Sequence, residues 1–274
     1  MQGGTPAIKA TYGYQKQGTG YGYTGVKGLN ALIGTVTSKE TAPIIAGARL
    51  RKGGTNSARG AGKFVADLLA TVGRLRAANA TGMVLLRADS AYYAHSVATA
   101  AVRAGAKVSL TVRMDPHVKK TIASIGEDAW TKIEYTNAIL DEETGEWVSD
   151  AEVAEVPFTA FTSKKKADQI VGRLVVRRIP ELNPKAATGQ GTLFDLHRFH
   201  AFFTTANPDI LDTVTADKTH RAHAVIDAPV TFFVALEEAF LRVLACQAWY
   251  DCFPQLLDDR ACGVAGSGMA AGDR

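Results

Sequence analysis

The chain has 274 residues, of which 46% are apolar and 21% charged, with 9 prolines, a mean hydropathy of −0.02 and a formal charge of +4. That balance excludes intrinsic disorder, and three cysteines (Cys246, Cys252, Cys262), odd in number and all in the last thirty residues, exclude a disulfide scaffold. No stretch nears eighteen uninterrupted apolar residues and no signal-peptide core opens the chain, so a soluble protein of a reducing cytoplasm is expected, with no membrane partner.

The first elements alternate. Residues Gly28 to Thr37 and Ala42 to Leu50 are short apolar runs bounded by Gly, Ser and Pro, and read as strands. From Ala58 to Ala78 the apolar positions Phe64, Val65, Leu68, Leu69, Val72 and Leu75 recur at three and four, which predicts an amphipathic helix. Met83 to Leu86 is a continuous apolar run expected of a strand buried on both faces, and Arg87, Asp89 and Ser90 follow it. Ser96 to Ala106 reads as a helix and Lys107 to Val112 as a strand, giving an α/β core with parallel pairing.

Beyond it the texture becomes β-rich: Ile133 to Tyr135, Ile139 to Val148 around the turn DEETGEW, Val153 to Phe161, Arg173 to Ile179 and Arg198 to Thr205 are all strand-like. Asp209 to Ile226 returns to helical spacing. VTFFVALEEAFLRVLACQAWY (230–250) is compatible with a helix, and Ala261 to Arg274 is low in complexity. The expected division is 1–117 for the α/β core, 118–205 for the β-rich insertion and 206–274 for the remainder.

Charge is distributed steeply. Residues 1 to 120 hold 17 Lys/Arg against 4 Asp/Glu, a net +13, whereas residues 121 to 160 hold 1 against 10, a net −9. Clustered cations with few acids gain affinity for a polyanion by displacing counterions from phosphates, and the competing reading is a solvated basic face balanced by an acidic lobe.

Asp89 stands where open α/β sheets place ligands, at the carboxyl end of a buried strand. An Asp there either holds a metal or caps the short helix after it, and both uses are open. The stretch Tyr12 to Gly25 contains GTGYGYTG, but a nucleotide loop opens a helix and here a strand follows. Tyrosines with Lys16 and Lys27 that stack on bases, or a plain glycine-rich hairpin, both fit. His220, His223 and Asp227 fall at i, i+3 and i+7, a spacing zinc ligands use. Without CxxC or HExxH, a polar helical face meeting phosphate or a metal-bound substrate fits better.

Taken together, YGYQKQGTGYGYTGVKGLNALIGTVTS, APIIAGARLRKGG, VLLRADSAYYAHSV, VSLTVRMDP, AEVPFTAFTSKKKAD, RLVVRRIPELNPK, RFHAFFTT and DKTHRAHAVI resemble the bacterial insertion-sequence transposases of family thirteen-eighty, in the DDE group of the RNase H-like superfamily. The blocks occur in order over about residues 8–226. The resemblance implies an RNase H-like mixed sheet flanked by helices with a β-strand-rich insertion domain. It also implies two Mg²⁺ (or Mn²⁺) ions held by three carboxylates, double-stranded DNA as partner (transposon ends and target) and a homodimer on the DNA. Two such ions about 4 Å apart activate the attacking oxygen and steady the leaving one.

Asp89 matches the second carboxylate of that family. The first would precede IKATYGYQKQG, where this chain reads MQGGTPA and has no acid before Glu40. Asp227 stands where the family has a glutamate, with Val234 in place of a lysine seven residues on and Pro229 in the path of the helix. The expectation is therefore a transposase truncated at its front and divergent after about residue 227, with Asp89 and Asp227 as its catalytic and metal-binding residues in one basic cleft. Lys16, Lys27, Arg49, Arg51, Lys52, Arg87, Arg113, His220, Arg221 and His223 are the expected DNA contacts. A non-enzymatic DNA-binding remnant, acting as a decoy or inhibitor of full-length transposase, is the alternative. A small-molecule enzyme on a Rossmann-like sheet explains neither the +13 half nor the missing glycine fingerprint.

Overall fold

The computed structural model describes residues 8–11, 16–22, 25–37, 44–77, 82–135, 139–140, 147–148, 150–180, 197–222, 232–236 and 239–241. In chain order the strands are β1 (Ile8–Ala10), β2 (Gly20–Tyr21), β3 (Lys27–Thr37), β4 (Ile44–Lys52), β5 (Val84–Ala88), β6 (Lys107–Thr111), β7 (Thr131–Lys132), β8 (Ile139–Leu140), β9 (Trp147–Val148), β10 (Glu152–Ala160), β11 (Ile170–Pro180), β12 (His197–Thr204), β13 (Phe232–Leu236) and β14 (Ala239–Leu241). The helices are α1 (Ala61–Arg76), α2 (His95–Arg103), α3 (Pro116–Ala123) and α4 (Thr213–Arg221), with short 3-10 turns between.

Among the described residues, twelve strands form one mixed sheet, in the order β1-β3-β13-β5-β6-β12-β11-β10-β7, with β2 and β4 on β3 and β14 on β13. The chain is thus mixed α/β, a sheet flanked by helices. The β-rich stretch continues the same sheet, because β12 pairs antiparallel with β6 through Phe202, Phe203 and Thr204. β8 and β9 form a separate small hairpin.

Period-two alternation sorts the side chains into two layers. On β5, Val84, Leu86 and Ala88 face the main core under α1, α2 and α3, together with Val108 and Leu110 of β6. Leu85 instead joins Val175, Phe202, Leu211 and Ala216 on the face that α4 covers. All five β5 residues are buried, as a sheet covered on both sides requires.

α1 buries Phe64, Val65, Leu68, Leu69 and Val72 on one stripe, as its periodicity predicts, although it begins only after Gly60, which is left-handed at φ 74°. The sequence reading missed α3. Asp115 caps it by accepting the Val118 amide at 2.9 Å with Pro116 at the first helical position, a start signal that the letters DP carry.

The helix expected over 230–250 is corrected at the residues described there, 232–236 and 239–241, which are strands. Phe232–Leu236 is a strand between β3 and β5, parallel to the first and antiparallel to the second. An apolar run of aromatic and β-branched residues fits a pleated sheet as well as a helix, and periodicity alone does not separate them. Among the described residues no helix is long and apolar enough to cross a membrane.

Candidate functional site around Asp89

β5 delivers Asp89 to the carboxyl edge of the sheet, between β13 and β6. There the chain turns into a 3-10 helix, and Asp89 is its N-cap: Oδ1 accepts the Ala91 amide at 2.7 Å. The capping use is therefore real. Burial pushes the Asp89 carboxyl above the usual carboxylate range, opposed by the amides of Ala91 and Tyr92 and by the charge of Arg113. Asp89 is half-buried, and the exposed Arg113 is the cation whose charge acts on it.

Two tyrosines follow. Tyr92 is 1% exposed, and burial together with Asp89 raises its phenol. Tyr93 is pushed up to about 12 by burial and by Asp115, so both phenols stay protonated near neutrality. The turn is then locked to the β-rich region: Tyr93 stacks on Phe161 with ring centroids 5.0 Å apart, and His95 meets the edge of the same ring at 5.4 Å. His95 Nε2 also lies 2.7 Å from the Asp168 carbonyl. Phe161 takes φ 62°, a left-handed conformation a phenylalanine avoids, immediately after β10. Tyr93, His95 and Phe161 escape the sequence reading because an aromatic pair 68 positions apart leaves no local signature.

The expected DNA contacts divide. Lys16 and Lys52 are exposed, as is Arg113, while Lys27 is half-buried in β3. Arg49 pairs with Asp67 at 2.6 Å and lies over the Phe64 ring. Arg51 is committed to the fold: it bonds Asn30 Oδ1 and the carbonyls of Asn56, Ser57 and Arg59, thereby closing the loop before α1.

Arg87 and His220 are corrected as DNA contacts, because both are interior. Arg87 is 1% exposed and donates Nη1 to the Thr219 carbonyl in the last turn of α4. His220 stacks on Phe202 with centroids 4.1 Å apart, and its ring nitrogens bond the hydroxyls of Ser109 and Thr111 at 2.8 and 3.0 Å. Arg221 donates to Asp217 Oδ2 at 2.6 Å and to the Glu134 carbonyl, so its role is also to hold α4 on the sheet. His223 and Asp227 lie outside the described residues, and so does the separation of Asp89 from Asp227.

The described part of the Gly-Tyr stretch includes one arm of a hairpin, β2. Gly20 and Tyr21 pair antiparallel with Gly28 and Lys27, and the Gly22 amide donates to the Val26 carbonyl. Tyr21 is 70% exposed, with its ring left free for other contacts.

Asp89 offers a hard oxygen ligand, of the type that Mg²⁺ or Mn²⁺ takes, at the carboxyl edge of the sheet. Among the described residues no group of three His, Cys, Asp or Glu side chains stands together. The described residues therefore do not by themselves form a two-ion centre. In comparison with known proteins, no family model matches the chain and no curated protein matches it.

Proposed function

We propose that the chain is a transposase catalytic core of the DDE type by descent, on an RNase H-like sheet, which holds double-stranded DNA on the basic margin around Asp89. The observation that carries this reading is the placement of Asp89: an acid at the carboxyl end of a fully buried strand, half-buried beside exposed Arg113, in a 120-residue half with 4 acids and 17 cations. An acid in such surroundings suits a cation that bridges it to a phosphate, and Lys16, Lys52 and Arg113 suit the phosphates on either side. Asp89 with Asp227 would hold Mg²⁺ or Mn²⁺, and a homodimer on the DNA belongs to the same reading.

A second reading, a DNA-binding protein without cleavage, is favoured by one observation. The Asp89 carboxylate already accepts the Ala91 amide at 2.7 Å as the cap of the turn, so part of its acceptor capacity serves the fold. The experiment incubates purified chain and Asp89→Ala with plasmid DNA carrying insertion-sequence ends, in Mg²⁺ and in Mn²⁺. Duplex binding without cutting is expected of both. End-specific cutting abolished by Asp89→Ala would establish an active transposase, and failure to bind duplex DNA would end both readings.

A further inference from the structure

α1 and α2 are both crossovers between parallel strands. β5 and β6 pair in parallel, and β4 runs the same way as β5, because β4 is antiparallel to β3, β3 parallel to β13 and β13 antiparallel to β5. Both helices therefore run back against the strands on one face, side by side, with both amino termini at the edge where Asp89 sits. Their first turns touch: a Cβ on Gly62 would stand 2.7 Å from the Ser96 carbonyl oxygen. An open groove of about 700 Å³ runs between them, from Gly60 and His95 at the Asp89 end to Ala70, Arg103 and Ala104 at the other. Ten residues of helix span about 15 Å, equal to about four base-pair steps of a duplex.

The lining is basic without counter-charge. Lys63 stands on one wall and Arg103 on the other, both exposed, and no acid is among the described residues that line the groove. Neither cation enters an ion pair among the described residues. Asp67 of α1 turns to the opposite side, where it holds Arg49. Between the cations the walls carry Ala66, Ala70, Ala100 and Ala104, which leave room for a backbone to approach. Neither helix has an acid in its first turn or a capping side chain, so both amino termini add partial positive charge at the Asp89 end.

We infer that the α1–α2 groove is a second track for the phosphodiester backbone of duplex DNA, leading away from the Asp89 edge, with Lys63 and Arg103 as its phosphate contacts. This rests on the DNA-binding reading above and adds a surface that reading does not use.

The test measures affinity for a labelled duplex across a salt series for the full chain, for Lys63→Glu/Arg103→Glu, and for Lys119→Glu/Lys120→Glu on α3 as a match in charge change. Each lost phosphate contact removes about 0.9 from the slope of log affinity against log salt, so the groove variant should lose about two. The α3 variant should keep the parent slope, and Lys63→Arg/Arg103→Lys should keep both slope and affinity. Equal losses in the two reversed variants would mean that net charge alone acts, and would overturn the inference. So would an unchanged slope in the groove variant while the parent binds. A parent that binds no duplex sinks the DNA reading itself, a different failure. Circular dichroism verifies the folds, and Lys63→Gln/Arg103→Gln replaces the reversal should it unfold, with the same expected loss.

Discussion

Replacing Asp217 by alanine should be among the most damaging single changes on the α4 face. Its side chain is 1% exposed and accepts from Arg177 Nη1 and Arg221 Nε, each at 2.6 Å. The Arg177 side chain is itself only 10% exposed, so removal of Asp217 strands a buried guanidinium. Breaking a buried pair by deleting one partner costs about 3–5 kcal/mol, most of it the desolvation of the charge left behind. The Arg221 bond adds less than about 1 kcal/mol, since that side chain is 27% exposed and water can replace its partner. Urea unfolding of parent and variant measures the loss directly, as a midpoint shift at unchanged slope. The double variant Asp217→Leu/Arg177→Met should recover most of it, because an apolar pair of similar volume leaves no charge uncompensated. A loss below about 1 kcal/mol for Asp217→Ala would show that Arg177 reaches water and that α4 is not anchored by this pair.

Three further outcomes are expected. Burial holds the Asp89 carboxyl above its ordinary 3.8, so the folded chain keeps a proton that the unfolded chain has released. Stability must therefore fall as pH rises from that ordinary value through the folded one. Asp89→Asn, which keeps the cap, should abolish the fall in a pH series of denaturation midpoints, and parallel profiles would refute it. Asp212 behaves oppositely, its carboxyl lowered by the Thr215 hydroxyl and amide, so its contribution is present above 3.8 and lost as pH falls through the folded value. Asp212→Ala, removing the α4 cap, should cost about 0.5–2 kcal/mol at neutral pH and less in acid, as read by thermal unfolding. Gly62→Ala, ordinarily a gain within a helix, should instead destabilise by about 1–3 kcal/mol, because its methyl meets the Ser96 carbonyl rather than a flexible side chain. A melting temperature at or above the parent's would mean that α1 and α2 part without cost.

Where apolar periodicity was dense, the sequence carried the fold. β3, α1, β5, α2 and β6 lie within a few residues of their expected places, because alternation and the three-four stripe report directly which faces are buried. β13 was not legible. Phe232 to Leu236 presents a short apolar run of either period, and its placement depends on partners about 200 and 145 positions earlier in the chain.

The site shows the same divide. Asp89 could be placed at a strand end from the four apolar letters before it. Arg87, two residues earlier, could not be assigned a face, because its buried partner is a helix carbonyl 132 positions away. His220 looks like a DNA contact in the sequence for a related reason: the hydroxyls that hold it, on Ser109 and Thr111, come from a strand more than 100 residues before it. Long-range polar pairing inside a core is invisible to a local pattern, and it turned two expected DNA contacts into braces of the α4 layer.

The most direct measurement of the central claim is a fluorescence titration of a labelled duplex with the purified chain, at about 50 mM and about 200 mM salt, on two unrelated sequences. Weak binding that drops steeply between the two salts, alike for both sequences, is the expected result for a basic surface that reads phosphates. Binding insensitive to salt, or none at the lower salt, would contradict the assignment of the +13 half to DNA.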